Sequence, residues 1–209
     1  METYSDTMFT KAHASDRPRR GRPDETRRRL VRAAAETFNA NGYAGTDVRR
    51  IVEAAGYSTG SFYKHFTDKG EVLLAAYQTW VVEEWEALGA AILTPGGAHE
   101  RAERIVAISA DLHSRWHGLR QSMASYKQVD DAAALAFVEL QRRQLAMLRE
   151  LRAAIGPDEP IRPVEADVLL VMLIERAVEG MAWGEPAALG LDEATMRRLL
   201  VSAVAEALG

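Results

Sequence analysis

The sequence predicts an all-α protein in two parts, a small N-terminal helical unit and a larger helical body. Apolar residues recur at helical spacing along most of the chain, and no segment shows the alternating pattern of a strand. Glycine and proline stand between these periodic segments. The chain has 209 residues, 47% of them hydrophobic, which is enough for a globular protein of one or two domains.

The N-terminal segment differs from the rest of the chain. Residues 1–16 have no helical or strand period, which predicts disorder. Arg17 to Pro23 reads RPRRGRP, and its Arg-Gly-Arg-Pro core resembles an AT-hook, in which extended arginines lie along a narrow A·T-rich minor groove. Arg20 and Arg22 would be the inserted residues. The alternative is a flexible basic arm that attracts phosphate without specificity.

The first helix is predicted from Asp24 to Asn41. Acidic residues at its start and Gly42 after its end are typical helix boundaries. Its apolar face consists of Leu30, Val31, Ala34, Ala35 and Phe38.

The next stretch, TDVRRIVEAAGYSTGSFYKHFTDK from Thr46 to Lys69, predicts two short amphipathic helices that meet at a tight turn. Thr46 or Asp47 can cap the first of them, because either side chain accepts from backbone N–H groups. Gly56 can take the left-handed conformation that ends a helix. The apolar face of this helix consists of Val48, Ile51, Val52 and Ala55.

The second helix of the pair carries polar side chains on its outward face. Ser58 or Thr59 can cap it, and Phe62 and Phe66 lie four residues apart on its buried side. The outward residues are Thr59, Gly60, Ser61, Tyr63, Lys64 and His65. Small side chains near its start would let this helix enter the major groove, and the last three residues offer donors to phosphate. The pattern is typical of a helix-turn-helix, which makes double-stranded DNA the expected partner; the alternative is a helical hairpin with a polar surface.

Four motifs in the region from roughly residue 24 to residue 72 connect this stretch to a known family. They read FNANGY, GTDVRRIVEAAG, STGSFYKHF and DKGEVL, and the YKHF piece at 63–66 with Lys69 is the most specific part. Together they resemble TetR-family (TetR/AcrR-like) transcriptional regulators. Two positions depart from the family pattern: Tyr57 stands where an aliphatic residue is commoner, and Arg50 stands where an acidic residue is frequent. Beyond residue 75 only the helical pattern and the length agree.

The resemblance implies roles for individual positions. It places Thr46 and Arg49 on the positioning helix, with Arg49 near a base edge or a phosphate, and Arg50 could add a phosphate contact. Residues that would approach the bases or the adjacent backbone are Ser58, Thr59, Gly60 and Ser61. Residues that would hold phosphates are Tyr63, His65 and Lys69, and Lys64 occupies a variable position that can also touch DNA.

Six further helices are predicted in the body, at about residues 69–91, 99–115, 119–128, 131–155, 164–183 and 192–208. Breaks at Pro95-Gly96-Gly97 and between Gly156 and Pro163 separate them. We therefore expect a basic arm over residues 1–23 and a DNA-binding domain over 24–70. An effector-binding and dimerisation domain would cover residues 71–209.

Charge divides between the two parts. Residues 17–70 carry 12 Lys and Arg against 6 Asp and Glu, whereas residues 71–209 carry 13 against 21. A basic head on an acidic body suits a protein whose head faces phosphate. The chain has no cysteine, which excludes disulfides and thiol catalysis. The longest apolar run, from Val168 to Ile174, is too short to cross a membrane, so we expect a cytoplasmic protein.

The last two long helices are apolar on more than one face. Val168, Leu169, Val171, Met172 and Ile174 leave little room for a solvated surface. Such a helix must be covered on all sides, either by the body or by a second subunit. The family resemblance implies a homodimer through these two helices.

A pocket for a small-molecule effector is also implied by the resemblance. Aromatic and methionine side chains can line an apolar cavity, with polar residues as anchors. The candidates are Trp80, Trp116, Met123, Tyr126, Phe137, Gln141, Met172 and Glu175; the alternative for each is ordinary core. Glu175, Arg176 and Glu179 could instead form a local ion pair.

The sequence shows no pattern typical of an enzyme or a resident cofactor. His113 and His117 share one helical face, but no third metal ligand or carboxylate base accompanies them, so we expect no metal site. We expect a ligand-responsive, sequence-specific DNA-binding regulator, a repressor released from a palindromic operator by an apolar or amphipathic effector. The alternatives are a ligand-independent architectural DNA-binding protein and a helical enzyme or carrier.

Overall fold

The computed structural model describes residues 23–156 and 163–208, and these residues form ten helices and no strand. The predicted all-α class is confirmed. The predicted arm, including Arg20 and Arg22, lies outside the described residues. None of the described helices combines the length and the apolar composition needed to cross a membrane.

The head contains three helices and the body seven. Those of the head are α1 (Pro23–Asn41), α2 (Val48–Ala55) and α3 (Thr59–Phe62). Those of the body are α4 (Lys69–Leu93), α5 (Ala98–Arg115), α6 (His117–Tyr126), α7 (Asp131–Ile155), α8 (Val164–Ala182), α9 (Glu185–Ala188) and α10 (Glu193–Leu208).

Side-chain caps explain why several predicted boundaries are correct. Asp68 accepts from the backbone N–H groups of Gly70 and Glu71 at the start of α4, and Asp130 accepts from Ala133 at the start of α7. The sequence did not predict α9, because a single turn contains too few residues to show a helical period. Helix α6 begins and ends two residues earlier than expected.

One hydrophobic core runs from the head into the body. Phe38, Ile51 and Phe62 of the head belong to the same buried cluster as Leu73 of α4 and Met123 of α6. A second cluster joins α5, α8 and α10. The core therefore crosses residue 70, where we expect the boundary between the two domains, so the head and the start of α4 are packed as one unit.

Helix α6 is fastened to the end of α1 by its backbone. The Asn39 side chain donates to the Arg115 carbonyl at 2.9 Å and accepts from the Leu119 N–H at 3.1 Å. At Gly118, a Cβ atom would lie only 2.0 Å from the Asn39 carbonyl oxygen. Glycine at this position thus permits a contact between the two helices that another residue would prevent.

Candidate nucleic-acid interface

The positioning helix α2 is held by caps at both ends. Asp47, rather than Thr46, is its N-cap, and its carboxylate accepts from the Arg50 N–H at 2.8 Å. Gly56 ends the helix in the left-handed conformation, with φ of 72°. Next in the chain, the Tyr57 N–H donates to the Val52 carbonyl at 2.9 Å, which fixes the turn into α3.

Thr46 does not present its side chain at the surface. The residue is 1% exposed, and its hydroxyl donates to the Gly42 carbonyl at 2.8 Å. Thr46 also lies just before α2 rather than on it. Because the hydroxyl is enclosed and already bonded, only the backbone of Thr46 is left for the DNA contact that the resemblance implies.

Helix α3, the second helix of the predicted helix-turn-helix, which we call the reading helix, is a single regular turn followed by turn residues. Ser58 caps it, and the Ser58 hydroxyl accepts from the Ser61 N–H at 3.2 Å. Phe62 and Phe66 are fully buried, as their spacing predicts, and their rings are 5.5 Å apart. These two anchors fix which side of α3 faces outward.

Most of the predicted reading face is accessible. Thr59, Gly60 and Lys64 are exposed, and 60% of Tyr63 is exposed. Ser61 and His65 are half-buried. A Cβ atom on Gly60 would meet only the Ser58 hydroxyl, at 3.8 Å, so packing within the protein does not require glycine there.

The two arginines of α2 lie on the exposed surface beside this face. The Arg49 Nε donates to the Glu53 carboxylate at 2.8 Å, and an Arg50 nitrogen lies 3.4 Å from the Asn41 side-chain oxygen. Exposed pairs of this kind contribute little free energy. Both arginines can therefore exchange these partners for a phosphate.

Lys69 has a structural role that the sequence did not indicate. Its ammonium donates to the carbonyl oxygens of Tyr43 and Thr46, at 2.8 and 2.9 Å. Only one of its three N–H groups is then left for the phosphate contact that the resemblance implies. The Tyr126 ring stacks on the Tyr43 ring, with 5.1 Å between the ring centroids.

A cavity lies in the body among α4, α5, α7, α8 and α10, with about 590 Å³ of empty space that includes its opening. Its wall is mostly aliphatic and includes Leu88, Ile92, Leu148 and Ile174. The polar residues of the wall are Glu84, Ser109, His113, Gln144 and Glu175.

Of the eight predicted pocket residues, only Glu175 lines this cavity. Trp80 and Met123 belong to the buried core cluster, and Trp116, Tyr126 and Phe137 pack against that cluster. Gln141 and Met172 are exposed. Periodicity identifies the buried face of a helix but not the space that it faces, so the sequence favoured large aromatic residues of the core.

Burial sets the protonation of the polar wall. Burial raises the pKa of Glu84 to about 7, although Arg120 opposes this shift. Burial and the charge of Arg120 lower the pKa of His113 to about 3, so its imidazole is neutral. The His113 Nδ1 lies 2.9 Å from the Ser109 carbonyl oxygen and 3.4 Å from the Glu84 carboxylate.

His117 and Arg176 both have partners that their own helices do not supply. The His117 ring packs edge-on against the Trp183 ring, with 4.2 Å between the ring centroids. Within residues 23–156 and 163–208, no three His, Asp or Glu side chains are grouped as a metal site. Arg176 pairs with Glu185 at 2.6 Å. The expected ion pair within α8 is therefore wrong, because the partner of Arg176 comes from α9.

Comparison with known proteins agrees with this architecture. Residues 30–76 match the family described as bacterial regulatory proteins, tetR family. Over 156 residues the chain is 30% identical to the transcriptional regulator AcuR of Cereibacter sphaeroides, covering 66% of this chain and 70% of AcuR. The chain belongs to the TetR family.

Other TetR-family proteins are similar over different lengths. The repressor AcnR of Corynebacterium glutamicum is 39% identical over 54 residues, and the match spans 26% of this chain and 29% of AcnR. The crystal structure of a TetR-family regulator from Mesorhizobium loti superposes on this structure with a TM-score of 0.70 and 20% sequence identity. The match covers 90% of this chain and 96% of that one. The fold therefore extends over head and body, whereas sequence similarity to AcnR covers only a segment the length of the head.

Proposed function

We propose that this TetR-family protein is a sequence-specific transcriptional repressor that binds a palindromic operator as a dimer and is released by a small-molecule effector. The exposed face of α3 carries the proposal. Phe62 and Phe66 anchor the helix from behind, while Thr59, Gly60, Tyr63 and Lys64 remain exposed. A capped helix with small residues at its start and donors after its end suits entry into the major groove.

The reading surface would combine base and phosphate contacts. Thr59, Gly60 and Ser61 would approach base edges. Tyr63, Lys64 and His65 would meet the phosphates on one side. Arg49 and Arg50 of α2 would meet the backbone on the other side, once they leave their exposed partners. Phosphate contacts position a protein on DNA and base contacts select the sequence, so the two groups should respond differently to mutation.

Exposed apolar side chains on α8 and α10 support a dimer. Leu170 and Val178 of α8 are buried within the subunit, whereas Leu169, Met172 and Leu173 are exposed. Leu199 of α10 is exposed as well. A second copy packed on α8 and α10 would cover these side chains and would place two reading helices about 34 Å apart, one turn of DNA.

The cavity supports a response to an effector. Its aliphatic wall and few polar groups are typical of a site for a small organic molecule. Glu84 and Leu88 of α4 line it, and the first residue of α4, Lys69, holds the loop of the head. A ligand that fits one position of α4 better than another would change the separation of the heads and the operator affinity.

Selection of bound sequences from a random duplex pool tests the proposal. Enrichment of a palindrome by the purified protein is expected. Lys64→Ala should weaken binding to that palindrome, whereas Arg149→Ala, an exposed arginine on α7, serves as the charge-matched control. Salt-sensitive binding without enrichment would instead indicate the ligand-independent architectural protein. The proposed function assigns no catalytic role, and as a regulator of transcription the protein would act in the cytoplasm.

A further inference from the structure

The polar groups of the body cavity are gathered on the wall formed by α4, α5, α7 and α8. Glu84 is 4% exposed and His113 is 3% exposed, and both lie against the empty space together with Glu175 and Gln144. The remaining wall is aliphatic or aromatic. A ligand in this cavity would therefore bury an apolar body and bring one polar end to this wall.

The polar wall accepts hydrogen bonds more readily than it donates them. The Ser109 carbonyl can only accept, so the neutral His113 ring carries its hydrogen on Nδ1, 2.9 Å away. Its Nε2 is then an acceptor, and it has no hydrogen-bond partner among the described residues. Leaving a buried acceptor without a partner costs free energy, which a donor from a ligand would recover.

The two carboxyl groups give the wall a negative bias. The Glu84 carboxylate lies 3.4 Å from a neutral imidazole, which does not offset its charge. Arg120 lies over the Trp80 ring, with its guanidinium carbon 5.3 Å from the ring centroid, and acts on both glutamates from a distance. Glu179 adds further negative charge near Glu175, while Lys127 opposes it and Tyr77 stays neutral. Around the cavity, two basic side chains, Arg120 and Lys127, thus oppose three acidic ones, Glu84, Glu175 and Glu179.

We infer that the effector of this cavity is a protonated amine with an apolar body. This inference rests on the proposed function and names the chemical class of its ligand. An ammonium group would donate to the Glu84 carboxylate and to the His113 Nε2, and its charge would offset the two acids. A carboxylate or phosphate head would meet those acids instead, and an alcohol would leave their charge unbalanced.

Three probes with one chain and different heads test the inference: decylamine, decanol and decanoate. Binding is measured by calorimetry at about pH 8, where Glu84 is ionised and an alkylamine, like lysine, is protonated. Both heads can donate a hydrogen bond to the Glu84 carboxylate, but only the ammonium supplies a compensating charge. We therefore expect decylamine to bind more tightly than decanol by about tenfold to a hundredfold, which corresponds to about 1.4–2.8 kcal/mol. Decanoate should bind most weakly.

Substitutions then locate the effect. Glu84→Gln should remove most of the preference for decylamine over decanol, and Glu175→Gln should reduce it as well. The two effects need not add, because the charge of Glu175 acts on Glu84. Glu86→Gln, an exposed glutamate on the same helix, should leave the preference unchanged. Decanol affinity serves as the check that each variant keeps an intact cavity.

Three results would overturn the inference: equal binding of decylamine and decanol, tighter binding of decanoate, or no binding of any probe. A preference for decylamine that survives in both Glu84→Gln and Glu175→Gln would also overturn it, because the ammonium would then bind elsewhere. The operator selection is read separately. If a palindrome is enriched and decanoate releases the protein from it, the proposed function stands and only the ligand class is wrong.

Discussion

Lys69 and Tyr43 are joined twice: the lysine Nζ donates to the Tyr43 carbonyl oxygen at 2.8 Å and lies 4.2 Å from the centre of the Tyr43 ring. Lys69 is the first residue of α4, and Tyr43 lies in the loop between α1 and α2. On the body side, Tyr126 of α6 stacks on the same tyrosine ring. A movement of α4 must therefore carry the loop that precedes the positioning helix.

Lys69→Ala should destabilise the fold. The substitution leaves two carbonyl oxygens without their charged donor, and we expect the free energy of unfolding to fall by roughly 1–3 kcal/mol. Urea denaturation of the purified protein measures this change. Lys64→Ala is the matched control, since Lys64 is exposed; it should leave the unfolding midpoint unchanged.

The same pair of variants separates structure from phosphate binding. Lys64→Ala should reduce the slope of log K against log salt by about 1.8 for the dimer, because each of the two subunits neutralises one phosphate fewer than in the wild type and each phosphate contributes about 0.9. If Lys69→Ala changes this slope by the same amount and leaves stability intact, then Lys69 is a phosphate ligand as the family resemblance implies, and its bonds to Tyr43 and Thr46 contribute little.

Gly60→Ala should weaken operator binding without harming the fold. The added methyl group meets nothing closer than the Ser58 hydroxyl at 3.8 Å, and alanine favours a helix over glycine by up to about 1 kcal/mol. Thermal unfolding should thus be unchanged or slightly raised. On the operator the methyl group would stand between α3 and the groove, so gel-shift affinity should fall by about tenfold. Unchanged affinity would show that the start of α3 does not approach the DNA closely.

Local signals in the sequence were sufficient for the helices and the buried side of the head. Asp47 and Ser58 are helix caps, and each was one of the two candidates that capping chemistry offers at its position. Asp68 caps α4, which begins at residue 69 as predicted. Phe62 and Phe66 are buried as their spacing requires. These features depend on residues within one helical turn of each other, which is why a single sequence reveals them.

The cavity could not be predicted in the same way, because its wall is assembled from five helices. Glu84 and His113 were nevertheless detectable, since each falls at helical spacing within an apolar stripe: Glu84 between Val81 and Leu88, and His113 after Val106. An ionisable residue at a core position is a departure from the usual pattern that marks a candidate site. By contrast, the hydrogen bonds of Lys69 reach carbonyl groups that lie 23 and 26 positions earlier in the chain, so the sequence contains no local signal for them.

Gly118→Ala should disrupt the contact between α6 and α1. The new Cβ would lie 2.0 Å from the Asn39 carbonyl oxygen, so the two helices must separate, and we expect a loss of about 1–3 kcal/mol in stability. Gly89→Ala is the matched control within α4, where the Cβ would meet Leu151 at an ordinary 3.7 Å. Urea unfolding that ranks the two variants equally would contradict the close approach at Gly118.

Glu84→Gln should change how stability depends on pH. Burial raises the pKa of Glu84 from its ordinary 4.5 to about 7, so the folded protein keeps a proton that the unfolded chain has already lost. The free energy of unfolding therefore falls as pH rises between these two values. The ionisation of Glu84 makes the wild-type protein least stable above about pH 7. The glutamine variant lacks this loss, and its stability relative to wild type should increase by roughly 3 kcal/mol from about pH 4 to about pH 8.

Urea unfolding of both proteins across this pH range measures the difference directly. His113 contributes an opposite slope, since burial lowers its pKa and the unfolded chain gains a proton below about pH 6.5; the contribution is present in both proteins and cancels. Glu86→Gln should track the wild type, because Glu86 is exposed. Parallel pH profiles for wild type and Glu84→Gln would mean that the Glu84 carboxyl ionises as freely in the folded protein as in the unfolded chain, and the negative wall of the cavity would lose its main support.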